Sequence, residues 1–208
     1  MAISIARRKM TPEELREVLR QDVVEGAKAL LGATLVRGEL RAQIVEVEAY
    51  RPDDPASHSF RGRTPRTEVM HGEPGFAYVY FNYGVHWMLN IVAHPQNDGS
   101  VVLIRAAKPL AGLETMAARR RTDKHKALLS GPGKLAQAFG ITGELNGVDL
   151  LANENPLHIE PAQVPCLNIA AGPRVGIAVG KWHDVPWRFI DADQLDWISV
   201  RMASLKSA

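Results

Sequence analysis

Apolar and polar positions change rhythm near residue 34, from a helical period to a strand alternation. Before that point, Thr11-Pro12-Glu13-Glu14 sets a capping threonine ahead of a proline at the first helical position and a glutamate at the third. The pattern predicts a short helix to about Leu19. Asp22 opens a second capping pattern, Ala27, Leu30 and Leu31 supply its apolar stripe, and Gly32 is placed to stop it. After that point, residues 34–37 and 40–50 read as two strands around a tight turn at Gly38. Strict alternation in the second puts Leu40, Ala42, Ile44, Glu46, Glu48 and Tyr50 on one face. That face ends acidic and aromatic, so the strand is expected to leave the core and enter a site.

Prolines, glycines and charges then dominate residues 51–74, an ordered loop of a length that is uncommon unless functional. Residues 76–81 and 86–92 predict a hairpin around Asn82-Tyr83-Gly84, and residues 95–99 a further turn. Residues 101–106 predict a strand that is apolar except for Arg105. Residues 109–121 predict a helix with Leu110, Leu113 and Met116 facing inward, and SGPGKL (130–135) leads into another ending near Phe139. Short strands are expected over 157–200. With no repeat, low-complexity segment or linker, residues 1–208 read as one α+β domain, of which residues 1–10 form a flexible start.

Charge and cysteine content narrow the setting. A formal net charge of +2 permits a nucleic-acid partner without demanding one, so clustering matters more than the total. The single cysteine, Cys166, allows no intramolecular disulfide and points to a reducing compartment. No signal-peptide core precedes Thr11, and no apolar run approaches the ~18 residues of a membrane span. The expected location is cytoplasmic, with nucleoid association if the source is bacterial.

Candidate chemistry gathers between residues 44 and 105. Glu46 and Glu48, roughly 6–7 Å apart on one face, read either as a solvated edge or as carboxylates desolvated beside aromatic rings, where one serves as a base. Spacing alone does not choose between them. Arg105 in VVLIRAA needs a carboxylate or phosphate partner, because a buried unpaired charge is too costly. Each of Tyr50, Tyr78, Tyr80 and Tyr83 is by default an ordinary core or surface ring, but together they suit stacking on a flat substrate. Tyr83, at a hairpin tip, adds little to folding and suits a wedge between bases. His58, His71 and His86 fit no standard ligand spacing and have no partner cysteine, so no metal is expected. Ser130, Gly131 and Lys134 lack the glycine a P-loop would have at Leu128, yet a glycine-rich helix start with a lysine suits one backbone phosphate. The run 119–126 (RRRTDKHK) is more often a solvated surface than a phosphate-contacting patch.

The segments IVEVEAY, ASHS, GRTPR, AYVYFNYG with Asn90, VLIRAAKPLAGLETM, SGPGKL and PRVGIA occur in the order found in the alkyladenine (3-methyladenine) DNA glycosylases, and the chain resembles that family over nearly its whole length. The resemblance implies a curved, largely antiparallel sheet flanked by helices, with a protruding β-hairpin, likened to the C-terminal domain of formyltransferases. It implies a monomer that works on double-stranded DNA containing damaged bases, without metal or organic cofactor. Alkylated purines would be flipped out and released without strand cleavage, 3-methyladenine and 7-methylguanine before hypoxanthine and ethenoadenine. By position, Glu48 resembles the base that activates water, with Arg105 and the backbone carbonyl of Val175 as the water's other contacts. Tyr50, His58 and Tyr80 resemble the base-pocket walls, Asn90 the residue that crowds the 2-amino group of guanine, and Tyr83 the intercalating side chain. Ser130, Gly131 and Lys134 fall where the DNA backbone would be held. Val85 stands where the human-type enzyme has methionine, and His86 and Trp87 also depart from the pattern. Two alternatives stay open: a non-catalytic nucleic-acid-binding module, and a nucleoside or glycoside hydrolase using both glutamates.

Overall fold

The computed structural model describes residues 9–93, 98–201 and 206–207. Helix α1 (Pro12–Gln21) begins on a complete capping box: the Glu14 N–H donates to the Thr11 hydroxyl and the Thr11 N–H to the Glu14 carboxylate. Asp22 caps α2 (Val23–Ala29) by accepting from the N–H groups of Val24 and Glu25. Gly32, at φ 84°, then takes the left-handed turn that glycine adopts without penalty. Both helices press apolar residues onto the sheet, with Leu15, Leu19, Val23, Ala27 and Leu30 fully buried. Each buried leucine contributes about 1.5–3 kcal/mol.

The strands are β1 (Thr34–Arg37), β2 (Leu40–Tyr50), β3 (Ala77–Asn82), β4 (His86–Ala93), β5 (Ser100–Ala111), β6 (His158–Glu160), β7 (Ile169–Gly172), β8 (Arg188–Asp191) and β9 (Lys206–Ser207). Among the described residues they form one curled antiparallel sheet in the order β3-β4-β5-β2-β8-β7-β9, with β1 pairing β2 and β6. Two further helices, α3 (Leu113–Arg120) and α4 (Pro132–Phe139), complete the α+β architecture. The main core lies between the helices and one face of the sheet; the opposite face carries the polar cluster described below.

The central pair, β2 and β5, departs from regular pairing around Glu46 and Arg105. Ile44 pairs with Ala107, Glu46 with Ala106 and Val47 with Ile104, so Val45 on β2 and Arg105 on β5 are each an extra residue. Such bulges reset which side chains share a face. Leu40, Ala42 and Ile44 face the main core, but beyond the bulge Val47 and Ala49 do so instead. The single face expected from strict alternation is therefore corrected: Glu46, Glu48 and Tyr50 lie opposite the first three.

The helix expected over 109–121 is also corrected. Strand β5 continues to Ala111, Leu110 is half-exposed, and the helix starts only at Leu113, after Gly112 at φ 74°. Pro109 is tolerated in the strand because the β2–β5 register breaks beside it, between Arg41 and Ala42. Met116 is buried as expected. The turn expected at 95–99 and the flexible start at 1–10 fall largely outside the described residues.

Candidate active site

Glu48 is fully buried and holds three hydrogen bonds. Its Oε1 accepts from the Val175 N–H at 2.7 Å; its Oε2 accepts from the Tyr50 hydroxyl at 2.8 Å and from Arg105 Nη1 at 3.2 Å. Glu46, also fully buried, is more heavily engaged. Its Oε1 accepts from Arg188 Nε at 2.7 Å, Ser199 Oγ at 2.7 Å and Arg105 Nε at 3.1 Å, while Oε2 accepts from the Ser199 N–H. Arg105 thus bridges the two carboxylates, and Arg188 supplies the second positive charge. Burial alone would ease proton loss from Arg105, but the Glu48 and Glu46 carboxylates outweigh it and raise its pKa. Burial and then the Glu48 charge push the Tyr50 phenol well above its ordinary range, so it stays a donor to Glu48.

A cavity of about 210 Å³ opens in front of this cluster, lined by Tyr50, His58, Tyr78, Tyr80, Asn90 and Arg105 among others. Pairing of β3 with β4 sets Tyr78 opposite Asn90 and Tyr80 opposite Met88. Alternation along β3 sends both tyrosines to the cavity side, where their rings stack at 5.4 Å. His58 comes from a 3-10 helix (His58–Arg61) capped by Ser57. Its ring meets Tyr80 edge-on at 4.5 Å, and its Nδ1 lies 3.0 Å from the Tyr78 hydroxyl. Burial among these rings, then the nearby Arg66, lower the His58 pKa to about 4, which leaves a neutral imidazole at pH 7. Burial, then Tyr78, raise the Tyr80 phenol to about 12. The Asn90 side chain donates to the Tyr78 carbonyl at 3.0 Å and is locked in place.

The other expected site residues stand at the cavity rim or beyond it. Tyr83, in the left-handed region at φ 49° and 93% exposed, heads the hairpin. The Asn82 carbonyl closes the turn by accepting from the Val85 N–H at 3.0 Å. Gly131 caps α4, Lys134 Nζ donates to Ser130 Oγ at 3.2 Å, and Pro132 between them lines the cavity. The basic run 119–126 is partly tied down: Arg119 donates to the Ala138 carbonyl, Arg120 to Gln137, and Lys126 pairs with Asp196. His71 packs against Gly99, and His86 against Gly133 of α4.

Sequence reasoning missed the residues that brace this site. Arg188 and Ser199 anchor Glu46, and a fully buried pair, Arg174 and Asp54, lies behind Tyr50. Both members of that pair sit in or beside segments singled out above, PRVGIA and ASHS, but nothing local joins residues so far apart.

The family model described as methylpurine-DNA glycosylase (MPG) matches residues 17–195. The chain belongs to this family. Relatives named "Putative 3-methyladenine DNA glycosylase" include one from Rhodopseudomonas palustris (strain ATCC BAA-98 / CGA009), 51% identical over 169 residues that cover 81% of this chain and 80% of the relative. One from Agrobacterium fabrum is 47% identical over 179 residues, covering 86% and 89% respectively. A third, from Nitrosospira multiformis, is 47% identical over 166 residues, covering 80% and 83%. The protein is therefore a methylpurine-family DNA glycosylase, an enzyme that hydrolyses N-glycosyl bonds with DNA as the substrate polymer. Neither alternative raised by the sequence is needed. Among the described residues of this glycosylase, no helix is long and apolar enough to cross a membrane.

Proposed function

We propose that this glycosylase removes alkylated purines, 3-methyladenine and 7-methylguanine above all, from duplex DNA by a monofunctional, Glu48-assisted hydrolysis. The observation that carries the proposal is the convergence on buried Glu48 of three donors, Tyr50, Arg105 and Val175, which themselves line the tyrosine-rich cavity. A carboxylate can accept about four hydrogen bonds. Val175, Tyr50 and Arg105 supply three, which leaves room for one from a water molecule held against the sugar of a base seated between the rings. The Val175 carbonyl and Arg105 are the water's further contacts.

Chemistry at this site is economical. A purine alkylated at N3 or N7 carries a positive charge, so when the bond from C1′ breaks, its electron pair leaves with the base and neutralises it. No strong acid is needed. Water oxygen bonds to C1′ and its proton passes to Glu48, whose negative charge also faces the positive charge growing on the deoxyribose. Extruding the nucleotide costs a few kcal/mol. Stacking on Tyr50 and Tyr80, about 1–3 kcal/mol per base, offsets that cost, as does Tyr83 in the gap left behind. Asn90 crowds the 2-amino group of normal guanine, His58 contacts the base as a neutral ring, and Ser130, Gly131 and Lys134 hold a backbone phosphate.

Duplexes carrying 3-methyladenine, 7-methylguanine, hypoxanthine, ethenoadenine or no lesion test the reading, with free base and strand breaks measured separately. The methylated purines are released and the backbone stays intact until alkali is added. Strand scission by the protein alone, or release of neither methylated base, contradicts it.

A further inference from the structure

Tyr50 lines the cavity, and one face of its ring is covered from within the protein. Over that face lies Arg174, whose side chain has no solvent exposure and takes no part in the cavity lining. Its guanidinium carbon is 4.5 Å from the centre of the Tyr50 ring and 5.5 Å from that of Trp187. The cation therefore lies against two aromatic rings. Nη1 pairs with Asp54 and donates to the Ala49 carbonyl at 3.1 Å. Nη2 reaches the Trp182 carbonyl only at 3.5 Å, and among the described residues Nε finds no acceptor. Part of the charge is thus met by the rings rather than by hydrogen bonds. Well-packed apolar residues often serve a buried position as well as an ion pair does, so stability alone does not account for a cation here.

We propose that Arg174 sets the charge preference of the base pocket. A cation on the rear face of Tyr50 draws on the same π density that the front face offers to a bound base. The front face then attracts a positively charged purine less, relative to a neutral purine of the same shape. This rests on the reading that Tyr50 stacks on the extruded base. A cationic alkylated purine already leaves its sugar readily, so weaker stacking on it costs little, and neutral damaged bases compete better for the pocket. A second cation, Arg66, lies 5.4 Å from the Tyr80 ring, but its side chain is exposed, so solvent screens it more than it does the buried Arg174.

The test compares binding of two duplexes whose target nucleotide carries a 2′-fluorine, which resists glycosyl cleavage. One holds 7-methylguanine, a cation; the other holds 7-deaza-7-methylguanine, its neutral isostere. The variant Arg174→Met/Asp54→Asn removes both charges together, so neither is left buried alone. In that variant the Kd ratio, neutral over cationic, rises about three- to tenfold above wild type. In Arg174→Lys, which keeps the charge, it stays within about twofold. Should the double variant not fold, Arg174→Gln/Asp54→Asn, which keeps an amide donor and leaves neither charge, is expected to show the same rise. An unchanged ratio, with both affinities falling together, makes Arg174 a structural residue and overturns the inference. A rise in Arg174→Lys equal to that in the neutral variants overturns it too. Wild-type protein that binds both damaged duplexes no better than undamaged DNA removes the base-pocket reading itself, and the inference with it.

Discussion

Glu46 and Glu48 stand two residues apart, and their hydrogen bonds distinguish them. Glu46 is saturated by Arg105, Arg188 and Ser199, which suits a brace; Glu48 keeps acceptor capacity, which suits a residue that must hold water. His58 adds a titration at the same scale. Its folded pKa of about 4 lies below the 6.5 of an unperturbed histidine, so the unfolded chain binds the proton more readily between those values. Its contribution to stability is therefore present above about pH 6.5 and is lost as pH falls toward 4. Urea unfolding at pH 7 and pH 5 is expected to show a larger loss for wild type than for His58→Gln. Equal losses in the two proteins contradict the assignment.

At the scale of elements, the hairpin sets a cost in folding against the binding role proposed for its tip. Tyr83 sits at φ 49°, a conformation that costs a residue bearing Cβ about 1–2 kcal/mol. Tyr83→Gly is expected to raise unfolding stability by about 1 kcal/mol and to weaken binding of damaged duplex. A more stable protein with unchanged affinity removes Tyr83 from the intercalating role. The caps of α1 and α2, the ends of β1 and β2 and the hairpin were legible because each depends on neighbouring residues. The bulges at Val45 and Arg105 were not. Nothing in VEVEA or LIRAA interrupts alternation, and the extra residues become visible only when β2 and β5 are laid together. Pro109 misled for the same reason: a proline at the head of a helical pattern and a proline beside a register break look alike within a dozen residues.

Across the whole molecule, the site closes only when distant segments meet. Val175 reaches Glu48 across 127 residues, Arg174 reaches Asp54 across 120, and Ser199 reaches Glu46 across 153. Such pairs leave no local signature. Arg105 stood out as a charge inside an apolar strand, and family resemblance supplied Val175, whereas Arg174, Arg188 and Ser199 emerged only from the packing of the C-terminal third onto β2. Resemblance also gave Val175 a carbonyl role, and the fold adds its N–H as a direct bond to Glu48. The catalytic part assigned to Glu48 depends on all of these contacts together, and one comparison tests it most directly. Single-turnover release of 7-methylguanine is measured for wild type and Glu48→Gln, alongside the Kd of each for duplex containing an abasic-site analogue. The variant is expected to lose at least about a hundredfold in release while its Kd stays near that of wild type. Release by Glu48→Gln at close to the wild-type rate contradicts the account.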